Sequence, residues 1–376
     1  PDGFVPPRNG ADGLLTFVGQ GITGNFRYDR VPYSVQWHGN LQYQLSGDML
    51  LDVAYAGNTG VKLQANAAFN QLPDQYLSLG NDLNRVVNNP FFGILPAASS
   101  IGRATTTYGQ LLLPRPWLTG LTQSWGTLAH SSYHALQTKF RKRYASGLQF
   151  LVAYTFSKTI DDFSSVAGFL GDQNPGFTNN NRRDLDKSLS SLHLPHNLTF
   201  NYQWELPFGK GKRWMNKGGF AGHAFGGWIV NGVTTLQSGT PISIGSRNNT
   251  TGSFGGGQRP HSTGISSKTP GGTKDRIYGW FNNAAFVDAA PFQFGNVGRF
   301  LPDNPGPPLQ NWDVSILKDF RFSERMRLQF RAEFFNAFNN VNFANPAGTT
   351  FGMPNFGQIT GAERARIAQF GLKLYY

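Results

Sequence analysis

The sequence predicts an all-β chain, with about nine to eleven antiparallel strands forming part of a transmembrane β-barrel. Three observations carry that expectation. Apolar and polar residues alternate with period two along most of the chain, which puts them on opposite faces of strands, and helical periodicity is nearly absent. The connections between the alternating segments run short, long, short, long to the end. Charged residues are 14% of the 376 and aromatics 14%, where a soluble domain carries about a quarter charged.

The elements follow in order. Tyr33, Val35, Trp37, Leu41, Tyr43 and Leu45 alternate with Ser34, Gln36, His38, Asn40, Gln42 and Gln44, and the turn Ser46-Gly47-Asp48 leads into "MLLDVAYAG". Leu136, Phe140 and Tyr144 then oppose Gln137, Lys139, Arg141 and Arg143. The turn Ala145-Ser146-Gly147 precedes Leu148, Phe150, Val152, Tyr154 and Phe156 on one face. Leu198, Phe200, Tyr202, Trp204 and Leu206 oppose Asn197, Thr199, Asn201, Gln203 and Glu205. "GWIVNGVTTLQS" has apolar residues on both faces, and "WDVSILKDFRF" and "MRLQFRAEFFNAF" pair around Ser323-Glu324-Arg325. The last strand sets Ala368, Phe370, Leu372, Leu374 and Tyr376 against Gln369, Gly371 and Lys373, completing nine.

Short turns fall at 46–48, 145–147, 207–225 and 323–325, and long Gly-, Asn-, Pro- and Ser-rich connections near 59–130, 159–195, 239–309 and 339–365. Loops that long count against a compact soluble domain, whereas short periplasmic turns and long extracellular loops are how membrane barrels are built. "TTTYGQLLLPRPWL" in the longest loop has room for another strand pair or a surface hairpin. Hydrocarbon leaves no water for unpaired backbone groups, so a spanning sheet must close. Trp37, Trp204, Trp228 and Trp312 suit the interfacial girdles at strand ends. Three lysines fall on the apolar parity, where mid-bilayer burial costs about 2–4 kcal/mol. Lys142 and Lys158 lie near strand ends and can snorkel to headgroups; Lys318 lacks that route and marks a bulge.

There is no apolar run of the ~20 residues a membrane helix needs. Without cysteine, disulfides, thiolate metal sites and cysteine nucleophiles are excluded. The net charge of +12 comes from scattered Lys and Arg with no nucleic-acid module, so lipid headgroups and lipopolysaccharide are the expected partners. "PDGFVPPRNG" has no signal-peptide character. Strand parity leaves the first strand without an outward-running partner. The chain therefore reads as the C-terminal part of one barrel domain over 1–376, with 1–30 a loop remnant.

Candidate chemistry is sparse. Asp161 and Asp162 point to opposite faces and suit a loop start better than acid–base work. His193 and His196 lack a third ligand with metal spacing and read as strand-entry histidines. "FGKGKR" lacks the phosphate-loop pattern and reads as a basic periplasmic turn; "RNNTTGSFGGGQRP" reads as a flexible outer loop. In "NNNRRDLD", Arg182 and Arg183 either contact an anionic ligand or pair with Asp184 and Asp186. No catalytic arrangement, cofactor site or metal site is expected, and the chain reads as no enzyme.

The final strand resembles the C-terminal assembly signal of bacterial outer-membrane proteins. That signal is a terminal aromatic, here Tyr376, preceded by Leu374, Leu372, Phe370 and Ala368 at alternate positions. More broadly, five stretches resemble the Oar-like TonB-dependent transporters of Acidobacteria and related groups. They are "LQYQLSGDMLLDVAYAGNTG", "YHALQTKFRKRYASGLQFLVAYTFSKTIDD", "NNRRDLDKSLSSLHLPHNLTFNYQWELPFGKGKRW", "GGWIVNGVTTLQSGTPISI" and "NWDVSILKDFRFSERMRLQFRAEFFNAFNNVNF". The resemblance implies a bacterial outer-membrane barrel of about twenty-two strands, with a plug and a regulatory-like domain that are absent from these residues. It further implies recognition by the outer-membrane assembly machinery and uptake of a large solute energised by the TonB complex through that missing N-terminal region. The alternative reading is a passive channel or a structural, adhesive surface barrel. A soluble β-sandwich is disfavoured, because such broad apolar stripes would aggregate.

Overall fold

The computed structural model describes residues 17–25, 29–164, 176–216, 219–249, 258–323 and 326–376. Nine long strands appear where the alternation places them. They are β1 (Tyr33–Ser46), β2 (Met49–Ala68), β3 (Gly120–Ala145), β4 (Leu148–Asp161), β5 (His196–Glu205), β6 (Trp228–Gln237), β7 (Leu309–Arg321), β8 (Arg327–Phe335) and β9 (Ile367–Tyr375). Each pairs antiparallel with its neighbour in sequence, so the sheet is a simple up-and-down meander from β1 to β9. Two short strands bring the sheet to eleven. Ser188–Leu189 adds to β4, and Gly21–Gly24 runs parallel to the start of β3. The latter corrects the reading of 1–30 as loop alone; residues 1–16 and 26–28 lie outside the described residues. β1 and β9 form the two edges of the sheet, which does not close on itself among the described residues.

Register turns alternation into two chemically distinct faces. Phe150, Tyr202, Gly232, Val314, Phe334 and Ala368 lie directly opposite one another across six strands. On the other face Gln149, Gln203, Asn231, Ser315, Glu333 and Gln369 form the matching polar row. Edge-to-face stacking of Phe150 on Phe140 (5.3 Å) and Phe200 (6.3 Å) knits the apolar face. Glycine leaves room where an aromatic ring lies across the ladder. A Cβ on Gly57 would sit 2.2 Å from the Trp37 ring of the opposing strand. Trp37, near the start of β1, thus covers a glycine of the opposing strand.

β2 and β3 run 20 and 26 residues, well beyond the ~9–11 that cross a bilayer. The second strand therefore does not stop near Gly57. Its extension pairs Leu63–Ala68 with residues 122–129 through three register shifts, and projects from the long-loop rim. Beyond it, Val86–Asn88 pairs with Thr105–Thr107, so the "TTT" stretch does contribute a small strand pair, followed by helix α1 (Tyr108–Leu111).

Two lysine expectations are corrected. Lys142 does not snorkel to lipid; its ammonium pairs with Asp48 in the β1–β2 turn. Lys318 marks no bulge, since the ladders of β7 with β6 and β8 run unbroken through it. A short helix, α2 (Phe220–Phe225), covers Lys318 instead, and its Nζ donates to the Ala224 carbonyl at 2.6 Å. This satisfies a charge that bare hydrocarbon would not.

Candidate functional site: the polar inner wall and the loop cap

The polar parity builds a continuous wall. An open depression of about 800 Å³ lies along it, lined among others by Arg141, Arg143, Gln149, Asn201, Asn231 and Asp313. Amides and carboxylates bond across the strands. Gln149 donates to Gln203 at 3.0 Å, Gln237 to Asn197 at 3.2 Å, Gln42 to Asp52 at 2.9 Å and Gln329 to Asp319 at 2.9 Å. Arg327 pairs with Asp319 at 3.1 Å. By contrast Lys139, Arg141 and Arg143, at every second position of β3, form no ion pair among the described residues. The wall therefore presents fixed dipoles and a short row of cations, of which Lys139 lies directly across the ladder from Asp52.

Above it the long loops fold into a cap with two hydrophobic cores. One gathers Ile242, Ile244, Trp280, Phe281, Phe286 and Phe356 from the β6–β7 and β8–β9 connections. These connections also pair as Gly245–Ser246 with Thr350–Phe351. Arg276 is buried beneath this core, 3.8 Å over the Trp280 ring, and donates to the Trp280 carbonyl at 3.0 Å. The second core packs Phe163 and Phe177 against Ala65, Ala67 and Ala129 of the β2–β3 extension. Small residues there let the loop approach the strands closely.

Buried ion pairs tie the β4–β5 connection to the β6–β7 connection. Arg299 is fully buried. It donates to the Asp161 carboxylate, to the Asp161 carbonyl at 3.0 Å, to the Ser164 hydroxyl at 2.8 Å and to the Asp186 carbonyl at 3.2 Å. Burial pulls its guanidinium down to about 10. Arg259 pairs with the fully buried Asp186. Burial pushes the Asp186 carboxyl up, against the pull of Arg259 beside it. Such a pair is costly to desolvate and costly to break.

Asp161 and Asp162 do diverge: the first meets Arg299, while the second accepts from the His130 backbone N–H at 2.7 Å. His196 stacks on Phe156 (5.1 Å) with its Nδ1 2.8 Å from the Tyr154 hydroxyl. His193 is buried, and its Nδ1 accepts the Thr159 backbone N–H at 3.2 Å. Burial, then the charge of Lys158, lowers its pKa. No cluster of three potential metal ligands occurs among the described residues.

In "NNNRRDLD", Asn179 donates to Asp74 at 2.7 Å, and Asn181 to Asp74 and the Leu72 carbonyl, both at 2.9 Å. These bonds latch two long loops together. Arg182 forms a two-pronged pair with Asp184 at 2.9 and 3.0 Å; Arg183 lies 6.0 Å over the Phe177 ring. Asp186 is taken by Arg259 and pairs with neither arginine of the motif. The segment read as a flexible outer loop is anchored at both flanks: Arg247 donates its backbone N–H to the Phe351 carbonyl, and Arg259 holds Asp186. Residues 250–257 lie outside the described residues. Arg259 and Arg299 were missed as functional residues because nothing in their own neighbourhood announces a partner.

Ala368, Phe370, Leu372 and Leu374 face Phe334, Ala332, Phe330 and Leu328 across the β8–β9 ladder, and Tyr376 is almost wholly exposed beyond it.

Among solved structures, the chain is similar to the outer membrane transporter YddB from Escherichia coli. That match has 10% identity and a TM-score of 0.45, covering 95% of this chain and 34% of that one. It is also similar to the siderophore receptor PirA from Acinetobacter baumannii, with 10% identity and a TM-score of 0.38, covering 92% and 32%. The ferric-catecholate import receptor Fiu from K12 E. coli matches at 9% identity and a TM-score of 0.37, covering 92% and 27%. The chain thus spans about a third of the length of these proteins. No curated protein matches it by sequence. The model of the family described as "Outer membrane beta barrel domain" matches residues 1–369, nearly the whole chain. With its two-faced meander, short turns and long loops, this chain belongs to that outer-membrane β-barrel family and lies in the bacterial outer membrane.

Proposed function

We propose that the chain is the C-terminal barrel portion of an Oar-like TonB-dependent transporter that imports a large, scarce solute. The observation that carries this reading is the union of a polar inner wall with a cap of fixed shape. Long loops held by two cores and buried ion pairs form a defined capture surface above a wall of amides, carboxylates and cations. Pre-organised loops keep the ordering entropy of capture low. The two open sheet edges call for further strands in the intact barrel, since a spanning sheet must close; on this reading 1–376 is one part of a single domain. TonB would engage a region outside these residues. Arg182 and Arg183, at the cap surface, are the candidate ligand contacts, Arg183 being the freer of the two. Ala368, Phe370, Leu372, Leu374 and Tyr376 serve as the assembly signal.

The test is conductance of the full-length protein in planar bilayers. A plugged transporter carries no steady current until denaturant loosens its plug. A stable open-channel current without denaturant would favour the passive channel and sink the transporter reading.

A further inference from the structure

The β5–β6 connection is the longest of the short turns, and it folds onto the lipid-facing side of the sheet. Lys318 and Trp228 lie opposite each other on the apolar parity, and both donate to the Ala224 carbonyl of α2, at 2.6 and 3.0 Å. The Lys318 ammonium also lies 4.9 Å over the Trp228 ring and 5.1 Å over Phe320. The helix end is thereby pinned against the outer surface of β6 and β7 at the periplasmic rim. It leaves Phe220 90% exposed and Phe225 58% exposed, beside Phe322 at 62%.

A cavity of about 1000 Å³ opens here, lined among others by Lys210, Phe220, Lys318 and Phe322, and also by the carboxylates Glu205 and Asp319, which Lys212 and Arg327 neutralise. Two cations stand at this site without carboxylate partners among the described residues. Lys210 lines the cavity, and Arg213 lies 5.5 Å over the Trp214 ring, which in turn packs on Phe208 at 5.4 Å. Lys212 differs, being paired with Glu205 at 2.7 Å. Exposed phenylalanines beside unpaired cations at a membrane rim match the two halves of one ligand, an apolar tail and an anionic head.

We propose that this connection binds an anionic glycerophospholipid of the periplasmic leaflet. Lys210 and Arg213 hold its phosphate, and Phe220, Phe225 and Phe322 lie along its acyl chains. The lipid leaflet at this rim is what covers the aromatic patch in the cell. Lys318 closes the floor through α2, which explains a lysine on the apolar parity.

The experiment is native mass spectrometry of the full-length protein with phosphatidylglycerol, phosphatidylcholine or lipid A supplied in turn. Phosphatidylglycerol should be retained in preference to the other two. K210Q/R213Q should weaken its retention roughly thirty-fold, as each cation is worth about a five-fold factor. F220S/F225S should reduce retention of both glycerophospholipids. A heat-induced shift in gel mobility checks that each variant still folds as a barrel. Equal retention of phosphatidylcholine, preference for lipid A, or unchanged binding in folded K210Q/R213Q would each overturn the proposal. None of these outcomes bears on the transport reading, which rests on conductance.

Discussion

Replacing Arg299 by Met should open the cap and leave the barrel wall intact. The side chain is fully buried and makes four hydrogen bonds: to the Asp161 carboxylate and carbonyl, the Ser164 hydroxyl and the Asp186 carbonyl. Methionine matches much of its volume and supplies no donor, so Asp161 is left buried with Ser164 as the one side chain among the described residues to bond its carboxylate. Breaking a buried pair from one side costs about 3–5 kcal/mol. The strands keep their own ladders, so the loss falls on the junction of the β4–β5 and β6–β7 connections. A local loss of about 4 kcal/mol raises the opening constant roughly a thousand-fold. Cleavage by thermolysin under native conditions follows that constant when closing outpaces cutting. The full-length R299M protein should therefore be cut faster in these connections by two to three orders of magnitude, with its barrel gel shift unchanged. Adding D161L removes the orphaned carboxylate and should recover part of the protection, a non-additivity expected of directly paired residues. Cap cleavage within five-fold of the parent in R299M would refute the view that this pair holds the loops together.

Other outcomes follow from the same geometry. G239A should loosen the cap by about 2 kcal/mol or more, since a Cβ there would lie 1.7 Å from the Gly306 carbonyl oxygen; wild-type thermolysin resistance in G239A would contradict this. G232A should be far milder, because the atom it meets is the far end of the Tyr202 side chain, at 2.4 Å. His193 accepts a backbone N–H, and burial lowers its pKa, so its contribution is full above about pH 6.5, the unfolded value. It falls as pH drops from there through the folded pKa. Protection factors against hydrogen exchange around residues 188–195, corrected for the intrinsic pH dependence, should fall across that window, and H193Q should flatten the profile; a flat parent profile would count against it. Removing Tyr376 should cut the yield of assembled, heat-modifiable protein in the outer membrane, whereas unchanged yield would dismiss the assembly role of the terminal strand.

The nine crossings were legible because lipid enforces alternation on every residue of the outward face, from Phe150 to Ala368. Past residue 57 that pressure ends. The β2–β3 extension meets loops rather than lipid, so Ala65, Ala67 and Ala129 replace large apolar residues and the pattern fades into loop composition. Lys318 looked anomalous because its partner carbonyl belongs to α2, whose six residues are too few to show a helical period. The cap's ion pairs were invisible for a different reason. Asp186 and Arg259 are 73 positions apart, and Asp161 and Arg299 are 138 apart. No local spacing encodes such contacts. The "NNNRRDLD" stretch was visible as a feature, yet most of its polar groups turn out to close contacts between and within loops.

A barrel with short periplasmic turns and long outer loops exposes different parts of the chain to water on each side of the membrane. Residues 1–376 contain no cysteine, so single cysteines can be introduced at Tyr278 in the cap, Gly47 in a short turn and Val152 on the apolar face of the full-length protein, with any cysteine elsewhere in it replaced by serine. A polar maleimide that cannot cross the outer membrane is then applied to intact cells. Tyr278→Cys should label at once, Gly47→Cys only after the outer membrane is permeabilised, and Val152→Cys in neither condition. Labelling of Gly47→Cys in intact cells with Tyr278→Cys protected would invert the topology. Ready labelling of Val152→Cys would contradict the lipid-facing wall itself.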